Sequence, residues 1–129
     1  MMTTETQALQ QKVAQTLQDL WEYYTGVRPG RAIVVINQQA IAVLLEEILT
    51  PAEQQVARTE AGRSTLQKYG ERILEQAGPY LQQMVAETVD QEVSLAEFHL
   101  DVITGNILGF FLRPGGTNLK SIDFKDGKE

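Results

Sequence analysis

His99 is the only histidine in the chain, and it stands between two acids at strand spacing: Glu97, His99, Asp101. Residues two apart on an extended strand share a face, with Cα atoms ~6.8 Å apart. Two carboxylates and an imidazole on one face are the donor set of a facial metal site. The trio also falls where a strand meets its turn, a place for polar residues in any case, and no second histidine strengthens it. No metal is therefore assigned. A second constellation surrounds Thr59. Arg58, Arg63 and Arg72 flank a helix start whose first N–H groups, at Thr59 to Gly62, have no helical carbonyl to bond. Such a start attracts a small anion, bicarbonate or phosphate. The candidate anion site is Thr59, Gly62, Arg63 and, if the entry to the first hairpin lies nearby, Arg28. The plainer use of Arg63 is preferred: pairing with Glu60 or Glu53, or capping backbone carbonyls.

Other chemistry does not assemble. Gly105 and Gly109 are not followed by the Gly-Lys-Ser/Thr of a phosphate loop. Ser64, Ser94 and Ser121 have one histidine among them and no nucleophile elbow. With no cysteine, thiolate nucleophiles, disulfides and cysteine metal sites all drop out, which suits a reducing cytoplasm. The expectation is a protein that is not an enzyme and needs no cofactor. A net charge of −6 without any run of Lys or Arg argues against nucleic acid. The N-terminus has no basic-then-apolar signal pattern. The longest apolar runs, Ala32–Ile36 and Ala40–Leu45, are far short of the ~20 residues that span a bilayer.

The elements that must position these residues read in order. Residues 4 to 25 form a helix: Thr4 with Gln7 suggests a capping box. Leu9, Val13, Leu17, Leu20, Trp21 and Tyr24 give one apolar face, and Gly26 sits where a left-handed C-cap belongs. Trp21 and Tyr24 extend that stripe, so core packing is preferred for them over a ligand shelf. Arg31–Ile36 and Ala40–Ile48 read as a β-hairpin. Thr50-Pro51-Ala52-Glu53 is a strong helix start, and Thr59 offers a second one within ten residues. The helix after it runs to Val89 through Pro79, where a kink is expected. Its stripe includes Met84, core by the plain reading and otherwise the lip of a groove for a partner helix. Glu92–Leu100 and Asn106–Leu112 form a second hairpin, with Gly105 supplying a positive φ.

This gives an α+β fold, α-ββ-α-ββ, with a four-stranded antiparallel sheet and the long helices on one face. Residues 1–113 form one domain; 114–129 form a polar tail. Both faces of the strands are apolar, whereas a sheet covered on one side alternates apolar with polar. As one rod, residues 60–89 would measure ~45 Å, against ~24 Å for a seven-residue strand. Either Pro79 folds the helix back or its overhang packs on another subunit. Both features lead to the expectation of a homodimer.

Arg28-Pro29, the block Leu49-Thr50-Pro51-Ala52-Glu53, Thr59-Glu60-Ala61-Gly62-Arg63, and Asp101 with Thr104-Gly105 resemble the MpsC family over roughly residues 5 to 113. The family usually has Pro where this chain has Ala61. The resemblance implies a small soluble component of a sodium-translocating, membrane-potential-generating system linked to inorganic carbon uptake. Transport itself belongs to other subunits, and no catalytic residues carry over. An accessory or regulatory protein is expected, cytoplasmic and held at the inner face of the membrane through transport subunits as partners, with an anion- or metabolite-sensing domain as the alternative.

Overall fold

A computed structural model describes residues 4–114, so the tail expected from 114 onward lies, apart from Pro114, outside the described residues. The elements are α1 (Thr4–Thr25), β1 (Arg31–Ile36), β2 (Ala40–Glu46), α2 (Pro51–Val56), α3 (Glu60–Val89), β3 (Ser94–Asp101) and β4 (Asn106–Leu112). Local chemistry sets most of the boundaries. Gly26 ends α1 at φ 78°, and its N–H donates to the Glu22 carbonyl. Asn37 Oδ1 accepts the N–H groups of Gln39 and Ala40 in the first hairpin turn. Gly105 takes φ 73° in the second. β2 stops at Glu46, two residues earlier than the apolar run suggests. Glu47 turns to φ 60° there, which no ladder accommodates.

The sheet is four-stranded and antiparallel throughout, in the order β1-β2-β4-β3, so the second strands of the two hairpins pair at its centre. Both long helices lie on one face, α1 over β1 and α3 along β3. Val13, Leu17 and Trp21 of α1, and Leu66, Ala77, Leu81 and Val85 of α3, close a single core over Val34, Ile41, Val43, Leu45, Ile107 and Phe111. On β3 the alternation slips by one residue. A bulge between Leu95 and Glu97 pairs Leu95 with the covered Phe111 and Glu97 with Phe110 on the other side. Leu95, Phe98 and Leu100 therefore all turn toward the helices, although an unbroken strand would separate Leu95 from the other two.

α3 is continuous from Glu60 to Val89 with Pro79 inside it. Its length is used within the chain. The first turn packs on α2, and near the other end Thr88 shares a hydroxyl–hydroxyl hydrogen bond of 3.2 Å with Thr16 of α1. Between them, Gly70 and Gly78 let the helix settle onto Leu100 and Leu95 of β3. The long helix thus finds packing partners within the chain along its length.

The helices also reach both sheet edges through glutamines. Gln10 Oε1 accepts the Ile36 N–H of edge strand β1 at 2.9 Å. On edge strand β3, Gln82 Oε1 accepts the Leu95 N–H at 2.9 Å and Gln67 Nε2 donates to the Leu100 carbonyl at 3.0 Å. Backbone groups that could recruit another strand are engaged at these points.

Candidate functional site

The two helix starts meet at a tight corner. Thr50 Oγ1 accepts the Glu53 N–H at 3.1 Å while Glu53 Oε1 accepts the Thr50 N–H at 2.9 Å, a complete capping box. Thr59 Oγ1 accepts the Gly62 N–H at 3.0 Å. The Gly62 donor is therefore spent inside the protein. Gly62 also lies against the Val56 carbonyl, where a β-carbon would overlap the backbone of α2. Arg63 Nη1 donates to the Ala57 carbonyl at 3.0 Å, tying the end of α2 to the start of α3. This is the carbonyl-capping use expected of Arg63.

A third segment joins this corner. The Ile48 N–H donates to the Gly105 carbonyl at 3.1 Å, bringing the β3–β4 turn against the chain entering α2. Between them is a cavity of about 440 Å³ lined by Glu47, Leu49, Arg58, Arg63 and Val102–Gly105, among others. Among the described residues neither Arg58 nor Arg63 makes an ion pair. Arg28 is not in this wall. Its guanidinium donates to Asp19 at 2.6 Å and Glu22 at 3.1 Å, and these hydrogen bonds raise its pKa above the ordinary arginine value. Its charge is neutralised on α1. Arg72 is exposed on α3, also outside that lining.

Glu97, His99 and Asp101 do share a face, the one turned away from the helices, opposite Phe110, Leu108 and Asn106 of β4. Asp101 Oδ1 accepts the Ile103 N–H at 3.0 Å and so shapes the turn. Among the described residues no three His, Asp or Glu side chains converge closely enough to hold a metal ion. Trp21 is core, 4% exposed. Its Nε1 has no hydrogen-bond partner among the described residues, and the adjoining cavity of about 40 Å³ is far below the volume of a metabolite site.

Two further surfaces stand out. Among the described residues, nothing covers the sheet face opposite the helices. Two rows of side chains cross it in register, Val35–Ala42–Phe110 and Ile33–Leu44–Leu108. Leu108 is 59% exposed and Val35 51%. On the helical layer, Tyr23, Tyr24 and Tyr80 form a ring cluster. The Tyr23–Tyr24 centroids are 5.4 Å apart and the Tyr24–Tyr80 centroids 6.1 Å. Tyr23 is 82% exposed, and Met84 lies one turn beyond Tyr80. Desolvation, then Tyr80 and Tyr23, raise the Tyr24 pKa above the ordinary phenol value, so all the more it stays a neutral donor near pH 7. The apolar periodicity of α1 singled out Tyr24 but not the cluster. Tyr23 lies off that stripe, and only helix packing brings Tyr80 alongside.

Comparison with known families gives the setting. The family model described as "Na+-translocating membrane potential-generating system (MpsC)" matches residues 5–111. This chain belongs to the MpsC family. No curated protein and no solved structure matches it. The MpsC match takes in every element of the fold, including the corner at Thr50–Arg63 and both uncovered surfaces. Among the described residues of this MpsC member, no helix is long and apolar enough to cross a membrane.

Proposed function

We propose that this MpsC-family protein is a non-enzymatic accessory or regulatory component of a cation- or bicarbonate-transporting, membrane-potential-generating system, acting by protein–protein contact. It works from the cytoplasm as a homodimer and reaches the inner face of the membrane through its partner. The observation carrying this reading is the Tyr23–Tyr24–Tyr80 cluster on the two long helices, with Tyr23 and Tyr80 exposed. Tyrosine is enriched at interface hot spots because it brings a large apolar ring and a donor at little entropic cost. Charge points the same way. Cytoplasmic loops of membrane subunits carry an excess of Lys and Arg, and this chain carries a net −6. An anionic lipid surface would repel that charge, so a protein partner fits better than the bilayer itself.

Affinity capture from native detergent-solubilised membranes, with tagged full-length protein as bait, is the direct test. Transport subunits are expected in the eluate. Tyr23→Ala combined with Tyr80→Ala should cut their recovery by roughly tenfold or more, the loss of two hot-spot residues. Undiminished recovery with the double variant would rule out the tyrosine platform, and an eluate free of transport subunits would remove the accessory reading.

A second reading rests on the 440 Å³ cavity, whose two arginines lack acid partners among the described residues. There the protein senses a small anion. Bicarbonate or phosphate at 100 times its Kd would stabilise the fold by ~2.7 kcal/mol, seen as a rise in Tm at fixed ionic strength. The rise should vanish in the Arg58→Ala, Arg63→Ala double variant. A Tm unmoved by tens of millimolar of either anion would discard this reading.

A further inference from the structure

We propose that the uncovered sheet face is the homodimer interface, and that two copies stack face to face about a two-fold axis running along the strands. The inference deepens the homodimer part of the functional reading and does not depend on the transport setting.

Three observations support a second copy of this chain as the occupant. First, the route by edge addition is obstructed. Gln10 engages the edge of β1, and Gln67 and Gln82 engage the edge of β3. The apolar surface left open is the face, and aligned face-to-face packing is a standard way for two sheets to bury such surfaces.

Second, the face is complementary to itself in shape. β2 and β4 are its two central strands. An axis along the strands between them lays β2 of one copy over β4 of the other and keeps each cross-sheet row at its own level. Ala42 and Phe110 occupy one row, Leu44 and Leu108 the next. Small Ala42 then receives bulky Phe110 of the second copy, twice over by symmetry, and Leu44 meets Leu108. Small against large at facing positions is how two layers interdigitate, and a two-fold contact must be self-complementary in this way.

Third, charge selects this axis over the one across the strands. Glu97 and Asp101 line the β3 side of the face, whereas Arg31 lies on the β1 side. Arg31 pairs with Glu46 and Asp101 with Asn106, and continuing the β2–β4 register one step past Leu45 and Ile107 puts the four on one cross-sheet row. An axis along the strands places β1 over β3, so Arg31 faces Asp101 of the second copy at both ends of the row. Glu46 takes only Nε of Arg31, at 2.6 Å, and the Arg31 side chain is 65% exposed. Its Nη groups remain for a second carboxylate. An axis across the strands at the level of His99 would instead lay β3 over itself and press Glu97 against Asp101 of the second copy, which like charges oppose.

Sedimentation velocity on the full chain from 1 to 100 μM tests the association. A dimer is expected for the unaltered protein. Leu108→Glu should weaken it roughly a hundredfold, because each copy would bury an unpaired carboxylate. Val35→Glu should act in the same direction. Both side chains are more than half exposed, so far-UV circular dichroism should stay that of the parent. The chain contains no cysteine, which gives a clean test of the axis. Val35→Cys and Glu97→Cys proteins, mixed and treated with a bismaleimide that spans the ~10 Å between stacked sheets, should cross-link to each other far better than either does alone. A monomer at 100 μM would leave the face to some other occupant and overturn the proposal. So would folded Leu108→Glu and Val35→Glu variants that remain fully dimeric, or cross-linking of Glu97→Cys preferentially to itself. Capture of transport subunits by the parent protein and its loss in the tyrosine variant are read separately, so either result can fail alone.

Discussion

Phe111→Ala lowers the unfolding free energy by about 3–5 kcal/mol, the range for truncating a buried aromatic, measured by urea denaturation with circular dichroism. Phe111 is the largest of the side chains with essentially no exposure. It stands on β4, a central strand, opposite Ile41 of β2 and Leu95 of β3. Its ring meets Phe98 edge to face at 5.4 Å. Truncation therefore opens a hole where three strands and the helical layer meet, and a sheet held by ladders on both sides relaxes little to fill it. Native domains have only ~5–15 kcal/mol in reserve, so the variant stands near the edge of stability. Phe110→Ala, one residue away on the opposite face, should cost the fold far less and should weaken the proposed dimer more. Equal losses of unfolding free energy for the two would contradict the assignment of the covered face.

Gly62→Ala is expected to destabilise by about 2 kcal/mol or more, the order of an overpacked site. The sign is the informative part. In a helix, glycine to alanine ordinarily gains up to ~1 kcal/mol. Here the added carbon would meet the Val56 carbonyl and come close to Thr59 Oγ1. Both belong to the corner, and one is backbone, so α2 and α3 must move apart and the Thr59 cap must loosen. Gly78→Ala in the same helix is the control. Its added carbon would meet only the tip of Leu95, at 3.2 Å, which yields by a small rotamer shift. Thermal or urea denaturation should rank the variants with Gly62→Ala clearly below both Gly78→Ala and the parent. A Gly62→Ala protein as stable as the parent would mean that the corner is not built on close backbone contact.

That contact bears on the sequence block Thr50 to Arg63. Thr50, Glu53, Thr59, Gly62 and Arg63 all have a structural task there: two caps, one close approach and one carbonyl tie. Much of the block's distinctiveness is accounted for by turning the chain from sheet to helix in two short steps. Its share in the 440 Å³ cavity comes from Arg58 and Arg63 together with the β3–β4 turn, a neighbour some 40 positions away in sequence.

Features set between near neighbours along the chain were legible from the residues alone. Helix starts at Thr50 and Thr59, the stop at Gly26, the turn at Gly105 and the shared face of Glu97, His99 and Asp101 all follow from hydrogen bonds and backbone angles within a few residues. Tertiary structure decided the rest. Both faces of β4 are apolar in sequence, so nothing local separates Phe111, which is covered, from Phe110, which is not. Which hairpin strands meet at the centre, where the β3 bulge falls and where Arg28 finds its acids depend on contacts 6 to 76 residues apart. The helical layer covers only one face, because its two long helices both pack on the same side. Among the described residues the other face keeps its apolar side chains open, Leu108 and Val35 above all, and the proposed dimer would cover them.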